Sequence, residues 1–285
     1  MSRAFVICGI CLLSVLCGSG SGLAGPLPVR RNQPLIIDHT CTDIGRIPRQ
    51  WLMKTHKELG VWYGHTSHGS QITSGMNAIN SGNFRYGSTP NSGALLYIET
   101  GGDLGHNGNL RWSARTKAQL NRITNKANVV MWSWCGGVSG NTVSGINAYL
   151  LEMTKLELEY PDVFFVYMTG HLDGSGVEGN LNVRNDQIRD YCKTHNKILF
   201  DFADIESFDP DGNNFLELGS NDACDYSSNG DNRRDSNWCD DWIARNPDHR
   251  ITLPSSAAHT RPLNGALKGR AFWWMMARLA GWDGR

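Results

Sequence analysis

Short apolar runs alternate with amphipathic stretches along most of the chain, and this alternation predicts the elements of the fold. Five apolar runs predict buried strands: Val61–Tyr63, Ala94–Ile98, Asn128–Trp134, Asp162–Met168 and Lys197–Phe202. Apolar residues at helical spacing predict helices at Arg46–Leu59, Ser113–Lys126, Thr142–Tyr160, Asn182–His195 and Asn264–Ala280. Buried strands separated by helices are typical of βαβ units. We therefore predict an α/β fold built on a parallel sheet.

The two longest predicted helices each have an apolar face that we expect to enter the core. In the helix at Thr142–Tyr160 this face contains Ile146, Leu150, Met153, Leu156 and Leu158. In the final helix it contains Leu267, Ala271, Trp274, Met275 and Leu279. The sequence shows no internal repeat and no long linker, so we expect residues 25–285 to form a single domain.

Polar residues and glycines follow four of the predicted strands. They are His65, Ser67 and His68; Ser133 to Gly137; Thr169 to Gly174; and Asp201, Asp204 and Glu206. Ligands of open parallel sheets bind outside the carboxyl ends of the strands. The joint placement of these residues predicts a functional site at one edge of the sheet.

Ser67 is a candidate nucleophile at this edge, and the residues needed to activate it occur elsewhere in the chain. The backbone N–H groups of Gly136 and Gly137 could stabilise an oxyanion. The base could be His65, His68, His171 or His259, and we favour His259, which precedes the last helix. Taken singly, each feature has an ordinary explanation: a solvated histidine, a glycine turn, or a serine that caps a helix.

The first residues have the layout of a secretory signal peptide. Met1–Arg3 is basic, Ala4–Cys17 is apolar and Gly18–Gly25 is rich in small residues. We predict a signal peptide at residues 1–24 and a secreted or periplasmic protein. Lipidation at Cys17 is the alternative, and the large Leu16 before it disfavours this. No later apolar run is long enough to span a membrane.

The formal net charge of zero gives no electrostatic reason to expect nucleic acid as a partner. Five cysteines follow the predicted signal peptide: Cys41, Cys135, Cys192, Cys224 and Cys239. Export permits disulfides, and Cys224 and Cys239 bracket one loop, so they are the pair we expect. The odd number leaves at least one thiol unpaired.

The order of these motifs resembles the SGNH (GDSL-type) hydrolases, a family of esterases and lipases. The segments IIDHTCTDI, YGHTSHGSQ, WSWCGG, YMTGHLDG and DFADIESFDPDGN further resemble a divergent group of secreted bacterial SGNH-like proteins. The resemblance extends from about Leu35 to Trp282. It implies a three-layer α/β/α sandwich with a mostly parallel, flavodoxin-like doubly wound sheet, and no required cofactor.

Carried over by position, the resemblance makes Ser67 the nucleophile, Gly136 an oxyanion donor and His259 the base. Two positions depart from the family pattern: Leu172 stands where an Asn is expected, and Ser256 stands where an Asp is expected. Asp173 is then our candidate for the acid that orients His259. His65, His68 and His171 are expected to shape the turn or contact substrate.

Acidic residues are concentrated between Asp201 and Asp241, a segment that contains ten Asp and two Glu but only two Arg. Oxygen-bearing side chains alternate along part of this segment, at Asp209, Asp211, Asn213 and Glu217. Alternating oxygen ligands followed by a carboxylate are a feature of calcium loops. The sequence therefore offers a structural calcium site as one hypothesis and a solvated loop as the other.

The leading functional hypothesis is hydrolysis of a carboxylic ester, on a small molecule or as an acyl group on a polysaccharide. Tryptophans near the predicted strand ends, if exposed, would suit sugar rings: Trp62, Trp112, Trp132, Trp134 and Trp238. One alternative is a glycosidase or lyase that uses His171, Asp173 and Asp204. The other is a non-catalytic glycan-binding protein, which the departures at Leu172 and Ser256 favour.

Overall fold

A seven-stranded sheet in which every strand pairing is parallel forms the centre of the computed structural model. The structure describes residues 31–91 and 93–285, so the predicted signal peptide at residues 1–24 lies outside the described residues. The strands are Leu35–Ile37 (β1), Gly60–His65 (β2), Tyr86–Gly87 (β3), Leu95–Gly101 (β4), Val129–Trp132 (β5), Phe164–Met168 (β6) and Ile198–Phe200 (β7). The two-stranded antiparallel pair Asp225–Tyr226 (β8) and Ser236–Asn237 (β9) lies apart from this sheet.

The strand order is β1-β7-β6-β5-β2-β4-β3. Within it, β4-β2-β5-β6-β7 has the 2-1-3-4-5 order of flavodoxin-like sheets, with β1 and β3 added at the two edges. The chain winds outward from β2 in one direction and from β5 in the other. The crevice between the carboxyl ends of β2 and β5 is therefore the topological switch point, where such folds bind ligands.

The described residues contain eight α-helices. They are Arg49–Glu58 (α1), Ser70–Ala78 (α2), Arg111–Leu120 (α3), Val143–Glu159 (α4), Asn180–Thr194 (α5), Phe202–Ser207 (α6), Trp238–Arg245 (α7) and Pro262–Leu279 (α8). Helices α1, α2 and α6 pack on α8, while α3 and α5 pack on α4. The two groups cover opposite faces, because crossovers in opposite directions place their helices on opposite sides of a parallel sheet. The predicted α/β sandwich is confirmed.

The helical core faces are confirmed except at one position. Ile146, Leu150, Met153 and Leu156 are buried, whereas Leu158 is 68 % exposed. The prediction for Leu158 is wrong because it lies two positions after Leu156, and two residues turn a helix through about 200°. Leu158 therefore points to the opposite side of α4.

The expectation of exposed tryptophans is also wrong. All five side chains are buried, each with at most 5 % of its surface exposed: Trp62, Trp112, Trp132, Trp134 and Trp238. Trp62 and Trp132 pack edge to face, with their ring centroids 5.2 Å apart. A parallel sheet is covered on both faces, so large side chains on its strands enter the core. These rings belong to the core and give no support to a sugar-binding surface.

Helix α3 begins at Arg111, two residues before Ser113, where the helix was predicted to begin. The Ser113 hydroxyl instead donates to Glu152 on α4. In the part of the chain that the structure describes, no helix is both long enough and apolar enough to cross a membrane.

Candidate active site at the switch point

The turn between β2 and α2 places Ser67 and His68 at the edge of the sheet. Gly69 makes this turn possible, because a Cβ at this position would lie 2.3 Å from the hydroxyl oxygen of Ser133. The Tyr63 hydroxyl, at the base of the turn, donates to the carbonyl oxygen of Gly69 at 3.1 Å. The result is an exposed Ser67 beside a His68 that is only 9 % exposed.

Cys135 lies next to this turn, although it is distant from it in sequence. Strand β5 pairs with β2, and Gly64 is in register with Trp132, so the chain after β5 emerges beside the chain after β2. The Cys135 sulfur lies 3.3 Å from Nδ1 of His68. Cys135 is half-buried, so this residue beside His68 keeps part of its surface exposed.

Asp222 completes a line of three side chains. Its Oδ2 lies 3.0 Å from Nε2 of His68. Because a carboxylate only accepts hydrogen bonds, Nε2 of His68 carries the proton and Nδ1 is free to accept the thiol proton. The backbones of Asp173 and Asn221 pair in an antiparallel β-bridge. This pairing connects the loop that holds Asp222 to the loop after β6.

Three imidazole rings are stacked at this site, with His68 in the middle. His171 lies parallel to His68, with ring centroids 3.6 Å apart and planes at 3°. On the other side of His68, the His259 ring lies at 4.4 Å and 13°. The His171 ring is fixed by the Gly136 N–H, which donates to Nε2 at 3.2 Å, and by its own Nδ1–H, which donates to the Leu172 carbonyl at 2.9 Å.

The surroundings favour a neutral His68 and a charged Asp222. Burial lowers the pKa of His68, and the charges of His171 and His259 lower it further. The hydrogen bond with Asp222 raises the pKa but does not outweigh these effects. For Asp222, burial would raise the pKa, but the hydrogen bond from His68 and the charges of His171 and His68 outweigh it and lower the pKa. A neutral imidazole held by a carboxylate is the form that a general base requires.

Among the described residues, two groups bring three potential metal ligands within 4.8 Å of one another: His68, His171 and Asp222, and Asp38, His39 and Asp204. An ion bound by imidazole lies close to the ring plane, about 2.0–2.1 Å from the nitrogen for zinc. His68 and His171 are stacked at 3°, and two parallel planes cannot both contain one ion. The arrangement at the switch point therefore fits proton transfer and does not fit a shared metal.

The structure brings Ser67 and His259 to the same edge, but Asp173 has a different partner. The Ser67 hydroxyl contacts the Cys135 sulfur at 3.8 Å, and His259 contacts His68 through its ring face. The carboxylate of Asp173 accepts from the backbone N–H and the hydroxyl of Ser175 at 2.9 and 2.5 Å. The assignment of Ser67, His259 and Asp173 as a triad stays a prediction.

The other predicted site residues have defined partners as well. Nε2 of His65 lies 2.8 Å from Glu99 and its Nδ1 lies 2.9 Å from the Thr66 carbonyl, so both nitrogens face acceptors. The N–H of Gly136 is directed at His171 rather than left free for an oxyanion. Gly137 is buried, and a Cβ on it would lie 2.0 Å from the carbonyl oxygen of Gly105, so close packing requires this glycine.

The expected calcium ligand Asp209 is engaged by protein donors. One of its oxygens accepts from the backbone N–H groups of Asp211 and Asn213, each at 3.0 Å. The other accepts from the Asn213 amide at 2.9 Å and from Arg245 at 3.2 Å. Glu217 is exposed. The calcium site stays a prediction.

Cys224 and Cys239, the pair expected to form a disulfide, lie side by side. Their sulfurs are 3.3 Å apart and unbonded, and both side chains are buried. Cys224 also contacts the Thr260 hydroxyl at 3.3 Å. Cys224 therefore links the acidic loop, Asp201–Asp241, to the segment that holds His259.

Sequence reasoning missed the roles open to Cys135 and Asp222. Cys135 directly precedes Gly136 in the motif WSWCGG, so a cysteine at a strand end was a usable signal. Asp222 had no local signal, because it is one of ten aspartates between Asp201 and Asp241. Its partner His68 lies 154 positions away in the chain.

Comparisons with known proteins add little to this geometry. No family model matches the chain. A search of curated proteins finds no match. One similar solved structure is described as "a putative acylhydrolase" from Bacteroides fragilis, with 10 % sequence identity, a TM-score of 0.36, and coverage of 66 % of this chain and 90 % of that chain. A similarity this weak carries no argument about chemistry.

Proposed function

We propose that this protein is a hydrolase of acyl esters in which Cys135 is the nucleophile, His68 is the general base and Asp222 orients His68. The observation that carries the proposal is the line from the Cys135 sulfur to Nδ1 of His68 at 3.3 Å and from Nε2 to Asp222 at 3.0 Å. A nucleophile in reach of a base, which is itself oriented by a third group, is the arrangement used in covalent acyl transfer.

The proposed reaction proceeds in two steps. His68 takes the thiol proton, the sulfur of Cys135 attacks the ester carbonyl, and the proton passes from His68 to the departing alcohol oxygen. In the second step His68 takes a proton from water, and the hydroxide oxygen attacks the thioester carbonyl. The carboxylic acid leaves, and the thiol recovers its proton. Asp222 holds His68 in one tautomer and stabilises its charged form throughout.

Ser67 has a supporting role in this mechanism. Its hydroxyl lies 3.8 Å from the Cys135 sulfur, so it reaches the space where the carbonyl of a bound ester would lie. Hydroxyl donors can stabilise the developing oxyanion. The Gly136 N–H is directed at His171, which leaves Ser67 as a donor adjacent to the nucleophile.

Ser67 as nucleophile, with His259 as base and Asp173 behind it, is the second candidate. It rests on the resemblance to SGNH hydrolases and on the placement of Ser67 and His259 at the same sheet edge. Both candidates predict ester hydrolysis by an exported protein, and the export rests on the predicted signal peptide. A polysaccharide as the alcohol portion of the substrate is a proposal from the resemblance alone, since the tryptophans expected to bind sugars are buried.

Activity toward a series of 4-nitrophenyl acyl esters separates the candidates. We expect Cys135→Ala to remove turnover and Ser67→Ala to retain a measurable fraction of it. If Ser67→Ala is inactive while Cys135→Ala keeps wild-type turnover, the second candidate is correct. If neither variant differs from wild type, ester hydrolysis at this site is excluded.

A further inference from the structure

A fully buried charged pair joins helix α6 to helix α8. Its members are Glu206, near the end of α6, and Lys268 of α8. Lys268 and Glu206 both have 0 % of their side-chain surface exposed, and the Lys268 Nζ lies 2.6 Å from Oε1 of Glu206. Lys268 also donates to Oε1 of Gln71 and lies 3.8 Å from the centroid of the Phe202 ring. Buried ion pairs are expensive to desolvate and often add little to stability. A role other than stabilising the fold is therefore considered for this pair.

Close packing of two helices brings these side chains together. A Cβ on Gly75 of α2 would lie 2.0 Å from the carbonyl oxygen of Gly265 on α8. A Cβ on Gly269 would lie 2.3 Å from the carbonyl carbon of Gly75. Gln71 is one helical turn before Gly75, and Lys268 is adjacent to Gly269. The glycine contact therefore fixes the distance between Gln71 and Lys268.

The network extends from this buried pair to the loop of His171. The second oxygen of Glu206 accepts from the backbone N–H of Leu172 at 2.6 Å. Leu172 follows His171 directly, and its carbonyl accepts from the His171 ring at 2.9 Å. Glu206 thus holds the backbone of Leu172, whose carbonyl in turn holds the His171 ring.

A second branch reaches the loop of His259. The amide of Gln71 donates to the Ala258 carbonyl at 2.7 Å. Asn264 donates to Oε1 of Glu206 at 3.1 Å and to the Thr260 hydroxyl at 2.8 Å. His259 lies between these anchored neighbours and has a φ of +60°, in the left-handed region. A non-glycine residue keeps that conformation only where its surroundings enforce it.

We propose that Gln71, Glu206 and Lys268 are positioning residues that hold His171 and His259 on the two faces of His68. The backbone N–H of Gln71 donates to the His68 carbonyl at 3.1 Å. The side chains of Gln71, Glu206 and Lys268 make no hydrogen bond to the Cys135 thiol or to the His68 ring, so we assign their effect to the two outer rings. The inference rests on the proposed function only for its consequence in catalysis, because the positions of the rings are measurable without turnover. The groups that face His68 are Cys135, Asp222, His171 and His259.

The test uses Gln71→Met, which conserves volume and keeps the Lys268–Glu206 pair. It removes both hydrogen bonds of the Gln71 side chain, the one to Ala258 and the one from Lys268. The control is Thr154→Val, which removes a hydroxyl bonded to Tyr167 and Tyr191 at the far side of the sheet. NMR of histidine ring carbons against pH is the main readout. Alkylation of Cys135 by iodoacetamide over the same pH range is the second, and neither requires substrate.

In Gln71→Met we expect the His68 titration midpoint to rise by about half a pH unit, since a displaced His259 no longer opposes protonation of His68. The control should leave this midpoint unchanged. If esters are hydrolysed, the acid limb of the pH–rate profile should move to higher pH by the same amount, with KM nearly unchanged, because His68 must be neutral to act as the base. Gln71→Glu, which keeps an acceptor for Lys268 and cannot donate to Ala258, is the second variant should Gln71→Met misfold.

An unchanged His68 midpoint in a folded Gln71 variant would overturn the inference and leave the network a purely structural feature. Failure of the proposed function gives a different result. In that case wild-type protein shows no ester hydrolysis, while the NMR and alkylation differences between Gln71→Met and Thr154→Val persist.

Discussion

The Cys135 sulfur lies 3.3 Å from Nδ1 of His68, although the two residues are 67 positions apart in the chain. One follows β5 and the other follows β2, the two strands at which the winding of the sheet reverses. The contact is therefore a consequence of the topology. It places a thiol and a base where parallel sheets present their ligand-binding crevice.

Replacement of Cys135 by alanine should remove ester hydrolysis, with a loss of at least about 10³-fold in kcat. Ser67→Ala should lose less, about 10²- to 10³-fold, as expected for one oxyanion donor. Both residues are at least partly exposed, so the melting temperatures of the variants should stay close to that of wild type. Steady-state kinetics with circular dichroism melts checks this. A Cys135→Ala enzyme with wild-type kcat would exclude the thiol mechanism.

Asp222→Asn should lower kcat by about 10²- to 10⁴-fold, because the wrong His68 tautomer becomes available. Since Asp222 opposes the lowering of the His68 pKa, its neutralisation should also move the acid limb of the pH–rate profile to lower pH. Asp231→Asn, an exposed change in the same loop, is the matched control. Equal kcat values for the two variants would contradict the role of Asp222.

The pH dependence of Cys135 alkylation should follow His68. His68 must be neutral to accept the thiol proton, and its pKa is lowered by burial and by the charges of His171 and His259. Alkylation should therefore keep its rate below the ordinary histidine pKa of about 6.5 and fall only as the pH drops through the lowered value. An acid limb centred above pH ~6.5 in wild-type protein would show that His68 is not the controlling group.

The same pKa shift predicts how stability changes with pH. The unfolded chain binds a proton at His68 near pH ~6.5, and the folded protein binds it only at lower pH, so the unfolded state gains protons first. The contribution of His68 to the free energy of unfolding should therefore decrease as the pH falls below about 6.5. Urea titrations of wild type and His68→Gln at several pH values measure this. A variant with the wild-type dependence on pH in this range would contradict it.

Removal of divalent metal should leave hydrolysis unchanged, since the parallel rings of His68 and His171 do not suit a shared ion. Activity is measured before and after dialysis against EDTA. The same dialysed protein, titrated with calcium in a calorimeter, tests the predicted site at Asp209, Asp211, Asn213 and Glu217. Loss of activity that zinc restores would contradict the thiol mechanism, and absence of heat on calcium addition would exclude the calcium site.

Much of the fold could be predicted from local pattern because the sheet is buried on both faces. Strands such as β5 and β6 are continuous apolar runs, and their order along the chain is the order of the βαβ units. Helix α2 was missed because Ser70–Ala78 contains Ser, Thr, Gly and Asn, which are weak helix formers. Gly75 is there for the close approach to α8, a tertiary requirement that the local sequence does not reveal.

The edge of the sheet that carries the site was predictable, and its chemistry was not. His68, His171, His259 and Gly136 were all expected near one another, because each lies at a strand end or just before the last helix. Which nitrogen faces which partner depends on the register of β2 with β5 and on the path of the acidic loop. Asp222 reaches His68 only because the loop follows that path, so no spacing in the sequence could predict the contact between the two residues.

The central claim is that the acyl group passes through Cys135, and the most direct measurement is to trap it there. Wild-type protein is mixed with 4-nitrophenyl acetate, quenched in acid within the first turnover and mapped by peptide mass spectrometry. The proposed mechanism predicts an acetyl group on Cys135 that is absent from Cys135→Ala and disappears when the substrate is exhausted. An acetyl group on Ser67, or turnover with Cys135 never acylated, would contradict it.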